Sequence, residues 1–231
     1  MTSEVAFVDG EQCVIKRCRD PIYLEWLSRE HRVLRALADS PLPMPRALGY
    51  ADVDQDDEGR EAWLVMSWLD GRPLWHEILH ANSQRRALLL QRVGALLKQL
   101  HATPVPIGLR SESPWLDRML AEARQNLAWC DGTVELLADL HHRRPDPVPE
   151  VLIHGDLALD NVLVAAEDAM SLIDWSGGGP GDPRCDLALA LQTEPEIELG
   201  ESELAAFFEG YGGIPVDGAT RRWFEDLYEF F

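Results

Sequence analysis

Positive charge is scarce in this sequence. Its 231 residues include 21 Lys and Arg against 40 Asp and Glu, which leaves a formal net charge of −19. A surface this negative repels phosphate backbones, so we expect no nucleic-acid partner. The same charge would attract cationic small molecules, although it also serves solubility alone.

Long apolar runs and cysteine pairs are also missing. Charges interrupt every hydrophobic stretch well before the roughly 18 residues that a membrane-spanning helix needs, and no basic segment followed by an apolar one opens the chain. We therefore expect no membrane partner and no signal peptide. Cys13, Cys18, Cys130 and Cys185 form no C-x-x-C pair, so their spacing matches neither a zinc site nor a disulfide framework. They are typical of reduced thiols in the cytoplasm, which is the location we expect.

The first 70 residues predict a small antiparallel sheet with one helix. Asp9-Gly10 lies between two short apolar runs, which is a hairpin signal. Two further strand-like runs follow, and apolar residues recur at helical spacing in the segment between the first two runs and these two. The predicted strands are 5–8, 13–16, 46–53 and 62–69, and the predicted helix is 22–38.

Helical patterns dominate after Asp70-Gly71, where we place a boundary between residues 1–70 and 71–231. The predicted helices of the second part are 83–102, 115–129, 132–143, 183–192, 201–211 and roughly 219–231, and its short strands are 151–153, 161–164 and 170–173. The fold class is therefore α+β, with a small antiparallel sheet in the first part and a larger, mainly helical second part.

The strongest chemical signal is HGDLALDN at 154–161, a polar loop between two apolar runs. Asp174 ends a further apolar run, LIDW, so we expect it to lie on the same β framework. Magnesium prefers oxygen ligands and takes few of them from protein, and Asn161 and Asp174 fit that set. Asp156 is then available to orient or deprotonate an attacking hydroxyl. The alternative is that the loop aspartates only cap turns.

The loop has the spacing of the protein-kinase pattern H-R-D-x-x-x-x-N, because His154, Asp156 and Asn161 stand at the same offsets. Two residues earlier in the chain fit the same chemistry. Such sites also need a strand lysine on the nucleotide phosphates and a helix glutamate that holds it. Lys16 ends a strand-like run and Glu30 lies in the predicted helix, although lone charges of this kind are more often surface residues.

Together with LVMSWLDG at 64–71 and GDPRCDLALAL at 181–191, these motifs resemble the aminoglycoside phosphotransferase and choline kinase-like family. The resemblance runs from about residue 5 to the end of the sequence. It implies the bilobal protein-kinase fold, with residues 1–70 as the nucleotide-binding N-lobe and residues 71–231 as a helical C-lobe that holds the catalytic loop and the metal site.

The resemblance also implies an ATP- or GTP-dependent phosphotransferase that acts on an alcohol group and uses Mg²⁺. The implied roles are Asp156 as catalytic base, Asn161 and Asp174 as metal ligands, Lys16 on the nucleotide phosphates with Glu30 as its partner, Met66, Ser67 and Leu69 as the nucleotide-base hinge, and His154 and Asp186 as supports of the catalytic loop. For Asp186, a helix-start carboxylate stabilised by the helix dipole remains the alternative.

For the acceptor, the sequence suggests a small cationic alcohol, aminoglycoside-like or an amino alcohol, because carboxylates and aromatic rings both attract cations. Asp160 and Trp175 are the candidates for substrate contact, and most tryptophans are expected in the core. The glycines at 177–181 predict a flexible segment after Asp174. Further candidates for the acceptor wall are Trp68, Trp75, Trp115, Trp129 and Glu122.

One feature departs from the family pattern. Only 15 residues precede Lys16, so the first strand and the phosphate-covering loop of the family are expected to be missing. An upstream start site, a minimal active kinase and a degenerate relative each account for this. The alternative function is a non-catalytic kinase-like nucleotide-binding module, and a metal-dependent hydrolase is a weaker third. The sequence fixes neither the acceptor, nor ATP against GTP, nor the oligomeric state.

Overall fold

A computed structural model describes residues 4–8, 12–55, 59–192, 197–213 and 216–231. No helix in these ranges is both long enough and apolar enough to cross a membrane. All four cysteines are free thiols, as their spacing predicts.

The first part of the chain is a four-stranded antiparallel sheet with one helix. The strand order is β1-β2-β4-β3, and β2 pairs with both β1 and β4. Both predicted strand pairs and the predicted helix are confirmed, while the Asp9-Gly10 turn lies outside the described residues. The elements are β1 (Glu4–Val8), β2 (Cys13–Cys18), α1 (Pro21–Ala36), β3 (Ala47–Gln55) and β4 (Gly59–Ser67).

Local sequence signals account for the start of helix α1 at Pro21. The Asp20 side chain accepts a hydrogen bond from the Ile22 backbone N–H, and Pro21 occupies the first turn, where its missing N–H costs nothing. The helix buries Leu24, Leu27 and other residues of one face in the core beneath the sheet. This packing fixes the face that carries Glu30.

The second part of the chain is mainly helical, with short strands that support the polar loops. The predicted helices and short strands are confirmed, with several ends one to three residues shorter. Helix α2 and strands β5 and β9 are additions to the prediction. The elements are β5 (Arg72–Pro73), α2 (Leu74–His80), α3 (Ser83–Ala102), α4 (Trp115–Asn126), α5 (Val134–His142), β6 (Val151–Ile153), β7 (Val162–Val164), β8 (Met170–Leu172), β9 (Gly179–Gly181), α6 (Pro183–Leu189), α7 (Glu201–Tyr211) and α8 (Gly218–Tyr228).

The glycine-rich segment after Asp174 is ordered, which corrects the expectation of a flexible segment. Its residues 179–181 form β9 and pair antiparallel with β6. The ladder is closely packed there, since a Cβ on Gly181 would lie 2.2 Å from the end of the Ile153 side chain. The β6–β9 ladder therefore holds the polar loop after β6 against the turn that follows Asp174.

Two hydrophobic clusters support these elements. The larger one joins α1 and the sheet to α2, α3 and the short strands, and the smaller one joins α4, α5, α6 and α8. Helix α7 approaches α3 closely, since a Cβ on Gly94 would lie 2.1 Å from the Phe207 carbonyl oxygen. Leu157 and Leu159 of the loop after β6, and Trp175 of the turn after β8, belong to the larger cluster, which anchors both polar loops in the core.

Candidate active site

A cavity of about 750 Å³ opens between the sheet, α1 and the helical part of the chain. Lys16, Asp156 and Asp174 all reach its wall, so one space collects the residues that the sequence singled out. Its other lining residues include Tyr23, Trp26, Arg29, Glu30, Trp115, Met119, Glu122, Asp160, Phe224, Leu227, Tyr228 and Phe231.

Lys16 is held by two acidic side chains. Its Nζ donates to both carboxylate oxygens of Glu30, each 2.9 Å away, and to Asp174 Oδ1. Glu30 is buried at 3% exposure on the inner face of α1, so its charge depends on Lys16 for compensation. The predicted lysine–glutamate pair thus exists in the structure, and it points the ammonium group into the cavity.

The loop after β6 is fixed by buried groups. His154 is fully buried, its Nε2 lies 2.8 Å from the Ile173 carbonyl oxygen, and its ring packs against Trp175. Gly155 has a φ of +79°, and a Cβ there would lie 2.2 Å from the Gly177 carbonyl oxygen. Only glycine satisfies both constraints, so this position brings the loop into direct contact with the turn after Asp174.

Asp156 and Asn161 form one hydrogen-bonded unit. The Asn161 amide nitrogen donates to the Asp156 backbone oxygen at 2.7 Å and to Asp156 Oδ2 at 3.0 Å. Both amide hydrogens are thereby used, and the Asn161 carbonyl oxygen remains as a hard ligand for a cation. Asp156 Oδ1 accepts a hydrogen bond from the Tyr228 hydroxyl.

Asp174 has a strained backbone beside the same loop. It adopts φ 63° and ψ 64°, the left-handed region that non-glycine residues seldom occupy. Its side chain is 42% exposed. Within the described ranges, no three His, Cys, Asp or Glu side chains converge as a self-sufficient metal site. The carboxylate of Asp174 and the carbonyl of Asn161 instead match Mg²⁺, which takes few protein ligands and completes its shell with water and phosphate.

Asp186 lies in the first turn of α6 and braces the loop from below. It is fully buried, and its carboxylate accepts the backbone N–H groups of His154 and Gly155, both at 2.8 Å. His101 Nε2 lies 3.1 Å from Asp186 Oδ2, and His101 Nδ1 lies 2.9 Å from the Tyr211 hydroxyl. These contacts fit the bracing role and go beyond an interaction with the helix dipole.

The hinge residues lie apart from the lining of this cavity. Met66 is buried at the end of β4, and the Ser67 backbone N–H donates to the Arg46 carbonyl oxygen at 2.9 Å. The Ser67 backbone N–H is therefore already used within the chain. Leu69 follows Trp68, and the backbone N–H of Trp68 donates to the Gln12 carbonyl oxygen at 2.7 Å.

The structure corrects the role expected for Trp175. Its side chain is fully buried against His154, and its Nε1 donates to the Leu172 carbonyl oxygen at 3.1 Å. A ring without exposed surface cannot contact an acceptor. Asp160, by contrast, lies in the cavity wall.

The remaining acceptor candidates divide in the same way. Trp115 and Glu122 line the cavity, whereas Trp68, Trp75 and Trp129 do not belong to its lining. Glu122 pairs with Arg29 of α1 at 2.6 Å, which connects α4 to α1 across the cavity.

Among the cavity-lining residues that sequence reasoning missed, Trp26 and Tyr228 bear most directly on the site. Trp26 of α1 packs edge-on against Tyr23 and Trp129, with ring centroids 5.3 and 6.0 Å apart. Tyr228 lies near the end of α8, where its hydroxyl meets Asp156. In the sequence, Tyr228 could have been noticed as a hydroxyl-bearing side chain on an otherwise apolar face of the last predicted helix.

Comparison with known proteins identifies a family and similar proteins. The sequence profile of the family described as "Phosphotransferase enzyme family" matches residues 2–224. Aminoglycoside 3'-phosphotransferase from Streptomyces fradiae is 29% identical over 231 residues, covering 90% of this chain and 77% of the relative.

Solved structures agree in fold. The crystal structure of aminoglycoside-3'-phosphotransferase of type VIII superposes with a TM-score of 0.75 at 24% identity, covering all of this chain and 94% of the other. The streptomycin-ATP-APH(2")-IIa ternary complex gives a TM-score of 0.68 at 18% identity, covering 96% and 78%. The predicted α+β, bilobal kinase-like fold is confirmed by these likenesses.

Proposed function

This chain belongs to the phosphotransferase enzyme family and is a small-molecule phosphotransferase acting on hydroxyl groups, and we propose that Asp156 is its catalytic base. The observation that carries the proposal is that Lys16, Asp156 and Asp174 face one cavity, with Lys16 paired to the buried Glu30. This is the arrangement that transfer of a γ-phosphate requires, because positive charge, base and metal ligands must meet at one phosphoryl group.

In the proposed reaction, the acceptor hydroxyl oxygen attacks the γ-phosphorus of ATP or GTP in line. The bond from that phosphorus to the β,γ-bridging oxygen breaks, and the nucleoside diphosphate leaves. Asp156 takes the hydroxyl proton, and Lys16 offsets charge on the phosphate oxygens. Asn161 and Asp174 would hold Mg²⁺, which when bound neutralises phosphate charge. His154 and Asp186 act indirectly, by fixing the loop that carries Asp156.

The two-part organisation follows from this assignment. We place the nucleotide phosphates against residues 1–70, which carry Lys16 and Glu30, and the acceptor against residues 71–231. Met66, Ser67 and Leu69 connect the two parts and are the proposed contact for the nucleotide base.

The acceptor proposed for this chain is a cationic amino alcohol of the aminoglycoside type. Five carboxylates and two cationic side chains line the cavity, so its wall is net negative. Asp160 and the aromatic face of Trp26 lie in that wall, and carboxylates and aromatic faces together favour ammonium groups. The names of the relatives at 29% identity agree with this acceptor class.

Thermal shift with Mg·ATP and Mg·GTP tests the nucleotide site first. A ligand that binds only the folded state stabilises it by about 2.7 kcal/mol at 100 times its Kd. We expect a magnesium-dependent rise in Tm that is lost in Asp174→Ala. Asp168→Asn is the control. It also removes one carboxylate charge, but Asp168 pairs with Arg85 and is not part of the cavity lining, so the shift should be retained. No shift with either nucleotide would contradict the proposal.

Turnover is tested with a panel of aminoglycosides and simple amino alcohols, by following release of the nucleoside diphosphate. We expect one or more acceptors to raise that release above the rate with nucleotide alone. Asp156→Asn should abolish acceptor-dependent turnover while it keeps the nucleotide-induced shift in Tm. An undiminished rate in Asp156→Asn would overturn the assignment of the base.

A further inference from the structure

The proposed base is covered by a side chain of helix α8. The Tyr228 hydroxyl donates to Asp156 Oδ1, and Asn161 donates to Oδ2 at 3.0 Å. Both carboxylate oxygens therefore already have a partner within the chain. An acceptor hydroxyl that hands its proton to Oδ1 has to take the place of the Tyr228 hydroxyl or share that oxygen with it.

Tyr228 is held in place by the packing of α8. The Phe230 ring is fully buried, and the Phe230 carbonyl oxygen accepts from the Asn126 side-chain amide at 2.8 Å. The Glu229 carbonyl oxygen accepts from the Gly132 N–H at 3.0 Å. A Cβ on Gly132 would lie 2.4 Å from the Phe230 ring, so the loop before α5 fits closely against this end. Tyr228 therefore presents its hydroxyl to Asp156 from a fixed backbone.

The hydroxyl is a dependable donor. Burial raises the pKa of the Tyr228 phenol, and the negative charge of Asp156 raises it further. The phenol consequently stays protonated and its hydrogen points to the carboxylate. A hydrogen bond to a charged acceptor of this kind is stronger than one between neutral groups.

We propose that Tyr228 shields Asp156 Oδ1 from water, so that the base becomes available only to a bound acceptor. This role rests on the proposed function. Water in an open cavity is a competing nucleophile: its oxygen could attack the γ-phosphorus, the bond to the bridging oxygen would break, Asp156 would take a proton, and nucleoside diphosphate and inorganic phosphate would result. The Tyr228 hydroxyl occupies the hydrogen-bonding position on Oδ1 through which a water molecule would pass its proton to Asp156.

A bound acceptor overcomes the shield, whereas water does not, for an energetic reason. Contacts between the remainder of the acceptor and the cavity wall supply binding energy that can be used to displace the phenol. A water molecule has no such contacts and meets the full cost of the lost hydrogen bond. Tyr228 is thus a positioning residue that couples nucleotide cleavage to the presence of an acceptor.

The test is Tyr228→Phe, which removes the hydroxyl and keeps the ring that packs in the cavity wall. Release of nucleoside diphosphate and phosphate from Mg·ATP and Mg·GTP is measured without any acceptor. We expect this rate to rise about 10- to 100-fold over wild type, the factor that corresponds to one hydrogen bond to a charged group. Tyr50→Phe removes another phenol hydroxyl, from β3 outside the cavity lining, and should leave the rate unchanged.

A double variant establishes the route. Tyr228→Phe combined with Asp156→Asn should lose the added hydrolysis, because that reaction needs the base. With an acceptor from the panel, Tyr228→Phe should show a lower KM for the acceptor, since no phenol has to be displaced.

Unchanged acceptor-free hydrolysis in Tyr228→Phe would overturn the proposal, and so would added hydrolysis that persists in the double variant. A reduced kcat alone would assign Tyr228 only an orienting contact and would also overturn it. Thermal shift with nucleotide, run on each protein, separates the two proposals. Absent nucleotide binding in wild type contradicts the proposed function, whereas normal binding with unchanged hydrolysis in Tyr228→Phe contradicts the shielding role alone.

Discussion

Asp186 Oδ1 accepts a hydrogen bond from the Gly155 backbone N–H at 2.8 Å, although 31 residues separate the two in the chain. The other carboxylate oxygen of Asp186 accepts the neighbouring N–H of His154. The carboxylate is fully buried, and these two N–H groups depend on it for their hydrogen bonds. Asp186 of α6 therefore helps to position the loop that carries the proposed base, although the Asp186 side chain does not line the cavity.

Removal of this brace should lower stability. Asp186→Ala leaves two buried backbone N–H groups without their acceptor, and we expect the free energy of unfolding to fall by about 2 to 4 kcal/mol. Asp186→Asn should lose less, because its carbonyl oxygen still accepts. Urea unfolding measures both. Glu25→Ala is the control, since the Glu25–Arg32 pair is 61% exposed on both sides and such pairs contribute at most about 1 kcal/mol. Equal losses in Asp186→Ala and Glu25→Ala would refute the brace.

Gly155→Ala should be far more damaging than Gly108→Ala. At Gly155 a Cβ meets the Gly177 carbonyl oxygen and the backbone has a positive φ, so we expect a loss of about 2 to 4 kcal/mol and a reduced kcat. At Gly108 a Cβ meets no atom within 4 Å. Thermal melts and turnover of both variants provide the comparison, and a fully active, stable Gly155→Ala protein would show that the loop accommodates a side chain.

The Lys16–Glu30 pair should separate stability from nucleotide binding. Lys16→Met leaves Glu30 as a buried, uncompensated carboxylate, so we expect unfolding free energy to fall by about 3 to 5 kcal/mol. Loss of the ammonium should also weaken nucleotide binding by about 10- to 100-fold, the equivalent of one charged hydrogen bond.

Adding Glu30→Met to Lys16→Met should restore stability without restoring nucleotide affinity. Urea unfolding reports the first quantity and isothermal titration with Mg·ATP or Mg·GTP the second. Nucleotide binding of normal strength in the double variant would remove Lys16 from the phosphate site.

Acid should weaken the cap of α8, the helix that carries Tyr228. The Thr220 hydroxyl, followed by the backbone N–H groups of Thr220 and Ala219, stabilises the Asp217 carboxylate and lowers its pKa. A group whose pKa is lower in the folded state adds stability above its unfolded pKa of about 3.9, and this stability is lost as the pH falls through the folded pKa. Asp217→Asn keeps a capping side chain without a titrating group.

We therefore expect the Tm difference between wild type and Asp217→Asn to shrink below about pH 4, with wild type losing the larger share. Asp217→Ala should lower Tm throughout, because both cap and charge are gone. Melting curves between pH 3 and 7 measure the three proteins, and parallel pH profiles for wild type and Asp217→Asn would contradict a contribution from the Asp217 charge.

The sequence by itself determined the elements and the loop chemistry. Helix α3 lies at 83–102, as its apolar spacing predicts, and β6 at 151–153 matches its short apolar run. These features depend on periodicity and on residues close together in the chain, so they can be recognised in the sequence before the tertiary structure is known. The placement of Asp156 and Asn161 in one loop could be predicted for the same reason.

Only the tertiary structure decided which side chains meet across the molecule. Trp175 adjoins Asp174 in sequence, yet its ring turns into the core against His154, because a buried ring gains more than an exposed one. Tyr228 and Asp156 are 72 residues apart, and nothing local to either predicts their contact. Such contacts follow from how α8 packs on the rest of the chain, and packing is a property of the whole fold.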